Sequence, residues 1–349
     1  MKLLITTQAV DLDDQVLGFF HAWIAKLAAE VDEVHVICLK EGRHTLPSNV
    51  FVHSLGKPSS PPADMIYHIT LRLGYIIRFY RILWKCRDSF DAVFIHMNPE
   101  YAVLGGLLWR AWGKRIVLWR NHKMYSPIMR LGVMFSEVVC FTSPDAYVAR
   151  YRKSVQMPVG IDTDVFKPDA PQRGTVLFLG RFDAVKKPDI FLEAIAQLER
   201  EGVPLRVDVY GDASLGRERY ATDLKEKYRG LKSVSFHAGI SHEATSAIYG
   251  THDIYVNLTP SGSFDKTIGE AMAAGCVVVC ANRAVREAIP AEHLVSSEDA
   301  ESVALGIKSA LALTDAERRD VVERERSYVE REHSLSLLVR RLVSICTPH

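Results

Sequence analysis

The chain of 349 residues, 48% apolar and 24% charged with a net charge of +1, is long enough to bury two cores. This balance excludes a disordered or fibrous chain and gives no overall charge for gripping a polyanion, so no nucleic-acid partner is expected. No uncharged apolar run reaches 18 residues, so no membrane-spanning helix is expected either.

The opening KLLITTQ reads as a β-strand and not as a signal peptide, because the chain turns acidic at AVDLDD without a small-residue cleavage pattern. An amphipathic VLGFFHAWIAKLAAEV follows, then strands EVHVICL and NVFVHSLG and a long helical region over about 65–87. Strand DAVFIHM, helix YAVLGGLLWRAWG, and strands RIVLWRN and SEVVCFTS complete the first half. Residues 156–174, rich in Pro, Gly and Asp, carry no periodicity, and a linker is expected near residues 155–172. Beyond it the pattern restarts: strands TVLFLGR, LRVDVYGD, SVSFHAG, DIYVNLT and GCVVVCAN alternate with helices, and from Glu301 onward the chain is helical and charged. The alternation predicts an α/β protein of two Rossmann-like, doubly wound domains facing a cleft, with ligands at the carboxyl ends of the strands.

Cys38, Cys140, Cys276 and Cys280 of the six cysteines lie in apolar runs, and none pairs at CxxC spacing. Thiols of this kind act as small hydrophobes, which argues against zinc and for a reducing, cytoplasmic setting. The region from Met65 to Arg130 holds eleven Lys or Arg against three Asp or Glu. Within it, the aromatic and basic stretch over 65–87 suits either the interface of a membrane or a helix packed on the first sheet with its arginines wet. The first alternative gives a peripheral contact at the inner face of a membrane.

Neither domain follows its first strand with GxGxxG, which argues against a dinucleotide oxidoreductase. LFLGRFDAVKKP instead puts Gly180, Arg181, Lys186 and Lys187 on the loop leaving a strand, where two cations suit a diphosphate. SGSFDKTIGEAMAAG places Gly262, Ser263, Phe264, Asp265 and Lys266 before a helix starting near Thr267, with Glu270 one turn inside. Small residues let a ligand approach that helix end, and its free N–H groups favour an anion. Glu270 then either holds a pair of hydroxyls or merely favours the helix dipole.

In order and spacing, GRFDAVKKPDIFLEA, VSFHAGISHE and GEAMAAGCVVVCAN resemble the donor-binding half of the retaining glycosyltransferases of family 4, as PVGIDTDVFKP resembles their interdomain segment. The resemblance implies the GT-B fold, with an N-terminal acceptor-binding domain at 1–160, a C-terminal nucleotide-sugar domain at 161–325, and a helix at 326–349 returning to the first. It implies transfer of a hexose from a nucleotide diphosphate sugar, with retention and without a metal, to a glycan or lipid-linked acceptor; the donor is a substrate and no cofactor is expected. A nucleotide-sugar epimerase or an inactive nucleotide-binding scaffold are the alternatives. By the family pattern Arg181 and Lys186 neutralise the diphosphate and Glu270 holds the ribose, as the second Glu of Glu-x7-Glu. Gly262 stands where the first Glu is expected, so Asp265 either takes over a donor contact or caps the helix.

In the first half, His122 leaves a strand end where similar enzymes place a His beside the reacting sugar. His96 and Asn98 leave the neighbouring strand in the same way, toward an acceptor. Asp13 and Asp14, with Asp11, either touch the acceptor or cap the helix expected near residue 15.

Overall fold

The computed structural model describes residues 1–14, 16–58, 65–214, 216–260 and 264–348, with the backbone alone for 65–69. The chain forms two compact units: Met1–Pro158 with the terminal segment from Leu335, and Val159–Ser334. Residues 326–334, which the sequence assigned to the returning helix, thus count with the second unit.

The first unit holds β1 (Lys2–Val10), β2 (Glu33–Glu41), β3 (Val50–Ser54), β4 (Ala92–His96), β5 (Arg115–Trp119), β6 (Val138–Phe141) and β7 (Ser154–Gln156). They form one sheet in the order β3-β2-β1-β4-β5-β6-β7, every pairing parallel. β4 is buried along its whole length, as a strand covered on both faces must be. The covering helices are α1 (Phe19–Glu30), α2 (Met65–Lys85), α3 (Pro99–Ala111) and α4 (Pro127–Phe135). The order reverses direction between β1 and β4, so a crevice opens beyond their carboxyl ends.

The second unit holds β8 (Gln172–Leu179), β9 (Arg206–Tyr210), β10 (Val234–His237), β11 (His252–Asn257) and β12 (Val277–Cys280) in a parallel sheet of order β10-β9-β8-β11-β12. Its helices are α5 (Pro188–Arg200), α6 (Glu218–Lys227), α7 (His242–Thr251), α8 (Lys266–Ala273), α9 (Ala300–Ala312) and α10 (Asp315–Tyr328). The reversal here lies between β8 and β11. Helix α11 (Leu335–Cys346) buries Leu335, Leu338, Val339, Leu342 and Cys346, an amphipathic spacing, against Trp23 and Trp119 of the first unit. All six cysteines are free and buried.

Candidate functional site

β8 runs out through Gly180 into a loop pinned at both ends. A Cβ on Gly211 would collide with the Gly180 carbonyl oxygen, so the strand ends of β8 and β9 touch backbone to backbone. Further on, Asp183 caps a short 3₁₀ turn at Val185 N, 3.2 Å away, and accepts the Ser214 hydroxyl at 3.0 Å. The loop leaves Arg181 exposed, without a hydrogen bond or ion pair among the described residues. Lys187 sits in the left-handed region at φ 52° at the head of α5, and its ammonium goes to Glu298, 2.8 Å away. Lys186 turns the opposite way, its stem beside Gly180 and its ammonium on Asp265 and on Thr259 Oγ1, 3.2 Å distant.

That contact joins β8 to β11 across the switch point. Beyond β11, Asn257 Nδ2 donates to Asp265 Oδ2 at 3.0 Å and Thr259 Oγ1 donates to the same oxygen at 2.9 Å. The other carboxylate oxygen accepts from Thr267 N at 3.4 Å, making Asp265 the N-cap of α8. Burial pushes this carboxyl up, but the charge and hydrogen bond of Lys186, with Asn257 and Thr259, win and hold it at about 2. The helix end that the sequence offered to an anion is therefore faced by the chain's own carboxylate. Thr267 is drawn into the same network, its hydroxyl accepting from Tyr255 at 2.8 Å and from Asn257 at 3.0 Å.

Lys266, at the first position of α8, points elsewhere: its ammonium donates to the carbonyls of Val159 and Gly160 at 2.8 and 3.2 Å. Burial lowers its pKa to about 7, against the charge of Glu270. Phe264 packs on the His333 ring at 4.7 Å. Gly262 and Ser263 lie outside the described residues.

Glu270 is only 4% exposed. His242, opening α7, meets Oε1 at 3.0 Å, and the buried Tyr249 hydroxyl donates to Oε2 at 3.4 Å. A carboxylate has about four acceptor positions, so these two donors orient it and leave capacity for a diol. His242 escaped the sequence reading although it stands in the motif VSFHAGISHE. Its position at a helix start just past β10 is the signal that could have found it.

In the first unit, Asp14 accepts from Val16 N and Leu17 N at 2.9 and 2.8 Å, capping a turn ahead of α1. Asp13 is exposed and takes a two-pronged pair from Arg43 at 3.1 and 2.8 Å, which lowers its pKa. Asp11 is buried against Lys40 at 3.0 Å. His96, expected to leave its strand toward an acceptor, instead stacks on Phe20 at 3.8 Å in the core, with Nδ1 3.1 Å from the Thr7 hydroxyl. The aromatic face of α1 is what draws it inward. Asn98 is half-buried at the head of α3. His122 is exposed, its Nδ1 accepting from Met124 N at 3.1 Å.

Residues 173–312 match the family described as glycosyl transferases group 1. Two D-inositol 3-phosphate glycosyltransferases are similar at 29% identity: that of Geodermatophilus obscurus over 48% of this chain and 42% of its own, that of Rhodococcus erythropolis over 40% and 32%. The matched stretch thus spans less than half the length of these relatives. Among solved structures, sucrose-phosphate synthase of Thermosynechococcus elongatus superposes with a TM-score of 0.74 at 17% identity, covering 99% of this chain and 98% of that one. HepE of Anabaena, in complex with UDP and glucose, gives 0.74 at 15% identity over 99% and 98%. At such identities the likeness concerns the fold. Residues 173–312 thus match the group 1 glycosyl transferases, and the two parallel sheets have the architecture of the GT-B glycosyltransferase structures.

Proposed function

We propose that this protein transfers a hexose from a nucleotide diphosphate sugar to a glycan or lipid-linked acceptor, with retention at the anomeric carbon and without a metal ion. The observation that carries the reading is the meeting of Lys186 with the amino end of α8 at the β8–β11 switch point. Strand-end crevices of this kind take nucleotides. Lys186 and the unpaired Arg181 supply the charge that a leaving diphosphate needs as its bond to the sugar breaks. Glu270, oriented by His242 and Tyr249, holds the ribose hydroxyls. The acceptor hydroxyl attacks from the face that the diphosphate leaves, and a phosphate oxygen takes its proton. His122, exposed past β5, and Asn98, past β4, are the first unit's contributions beside the acceptor. The solved complexes of HepE with UDP-glucose and of a trehalose-6-phosphate protein with UDP-2-fluoro glucose support a uridine donor.

A thermal-shift screen against UDP-, GDP-, ADP- and dTDP-sugars tests this, since a ligand of the native state raises its apparent stability. One base is expected to stand out, and Glu270→Ala to erase its shift; a screen in which no nucleotide sugar shifts the protein refutes the reading. NMR of the product then distinguishes retention from inversion. Conversion of the donor to an isomer with no acceptor present would make the protein an epimerase.

A further inference from the structure

Lys266 opens α8, where the free N–H groups of a helix repel a cation, so helix chemistry alone does not place a lysine there. What holds it is the segment at which the second unit begins. The Lys266 ammonium donates to the Val159 carbonyl at 2.8 Å and to the Gly160 carbonyl at 3.2 Å. The amides of the same segment go to the far end of the unit: Gly160 N and Ile161 N both donate to the His333 carbonyl, at 3.0 and 2.9 Å, and Ile161 pairs with Ser334. Val159 and Ile161 are buried. A Cβ on Gly269 would stand 2.8 Å from Ile161 Cγ1, so α8 lies directly against that residue, and the Phe264 ring ahead of α8 packs on His333. The chain enters this unit at Val159 and leaves it at Ser334. Entry, exit and the head of α8 are thus joined by hydrogen bonds, and Lys266 is a side chain that ties the helix to the other two.

We propose that Lys266 is a positioning residue, which carries the occupancy of the donor crevice from the cap of α8 to the segment 159–161. The element with two arrangements is the pair of Lys186 with Asp265, closed in the ligand-free chain and opened when a diphosphate draws Lys186 away. Asp265 caps α8, so opening the pair alters the cap, and the next residue along is Lys266. Its two carbonyl partners turn a shift of the helix head into a pull on Val159 and Gly160. Glu270, one turn on, belongs to the same helix and moves with it. The inference rests on the glycosyl-transfer reading for its input, a diphosphate, and on the hydrogen bonds alone for the link between α8 and 159–161.

Hydrogen exchange of the full chain, read at the Gly160 and Ile161 amides, tests both parts. Without ligand, Lys266→Met, similar in length but lacking a donor, is expected to speed exchange at these amides about fivefold or more while the amides of β9 keep their wild-type rates. Lys266→Gln retains an N–H donor and is expected to restore part of the protection; it also serves if the methionine variant does not fold. Equal rates in the wild type and both variants overturn the link. With saturating UDP, the wild-type amides are expected to slow about fivefold or more, and this response is expected to vanish in Lys266→Met although calorimetry still shows UDP bound. A merely structural lysine would leave the response to UDP in place. A response of equal size in wild type and variant, or none in the wild type with UDP bound, therefore overturns the coupling. A protein that no nucleotide sugar shifts loses the glycosyl-transfer reading and the coupling together, while the ligand-free comparison still decides the link.

Discussion

Replacing Asp265 with Asn separates what that carboxylate does for the fold from what it does to a donor. Its carboxyl sits at about 2 where 3.8 is ordinary, a difference equivalent to about 2 kcal/mol at neutral pH. With both partners largely buried, at 19% and 12% side-chain exposure, solvent screening removes little of this. For a unit the size of Val159–Ser334, a loss of about 2 kcal/mol lowers the melting temperature by about 4–8 °C. Because the folded-state pKa is depressed, the stabilisation is fully present above the unfolded value near 3.8 and is lost as pH falls through about 2. The gap between wild type and Asp265→Asn is thus expected to be flat above about pH 5 and to close toward pH 2. Donor binding is expected to move the opposite way. A unit negative charge about 6 Å from a phosphate costs about 2–3 kcal/mol at an effective dielectric of about 20. Asp265→Asn also releases Lys186, so UDP is expected to bind at least about tenfold more tightly by calorimetry. Unchanged or weaker UDP binding, or equal stability at neutral pH, would refute the competition between Asp265 and the diphosphate.

Glu270→Ala strands the buried Tyr249 hydroxyl and removes the carboxylate that meets His242, so it is expected to weaken nucleotide binding about tenfold or more and to cost about 1–3 kcal/mol in urea unfolding. Gly211→Ala forces the Gly180 carbonyl to move, with an expected cost of about 1–3 kcal/mol and a loss of donor affinity; a urea midpoint equal to wild type would contradict the backbone contact. Glu325 is wholly buried in α10, and that burial holds its carboxyl well above the ordinary value, although Val278 N donates to it at 3.3 Å. A raised folded pKa means the native state binds the extra proton, so stability falls as pH rises above about 4.5. Glu325→Gln is expected to abolish that decline in a pH series of urea unfolding, and a parallel decline in the variant would show that the carboxylate is not its source.

The strands were legible because parallel strands covered on both faces must be continuous apolar runs, and β4, β11 and β12 are buried from end to end. Helix α4 was not. Its nine residues are short and Met-rich, and Gly132 within it looks like a breaker; in the fold that glycine lets α4 press against Pro99 and Ala102 of α3. Its start was nevertheless written in Ser126-Pro127, where the serine hydroxyl accepts from Met129 N at 3.1 Å. β7, three residues at the sheet edge, is too short to show any period. At the site, the cationic loop and the helix carrying Glu270 were visible as local stretches. The pairing of Lys186 with Asp265 was not, because it spans 79 positions and exists only once β8 lies beside β11.

This pairing alters what the basic loop can be said to offer. Of the three cations that the sequence placed there, Lys187 serves Glu298, Lys186 serves Asp265, and Arg181 alone lacks an ion pair among the described residues. With Glu270 a turn away on α8, the ligand-free crevice is not the strongly positive trap that a count of lysines suggests. A diphosphate entering it must draw Lys186 from a carboxylate already fixed by Asn257, Thr259 and the helix cap. Affinity for the bare diphosphate is spent on that exchange, and the sugar and nucleoside must supply the remainder. It follows that discrimination among donors rests on the groups around Glu270 and Asp265 more than on net charge, and raising the salt concentration should weaken the binding of different nucleotides alike while leaving their rank order intact.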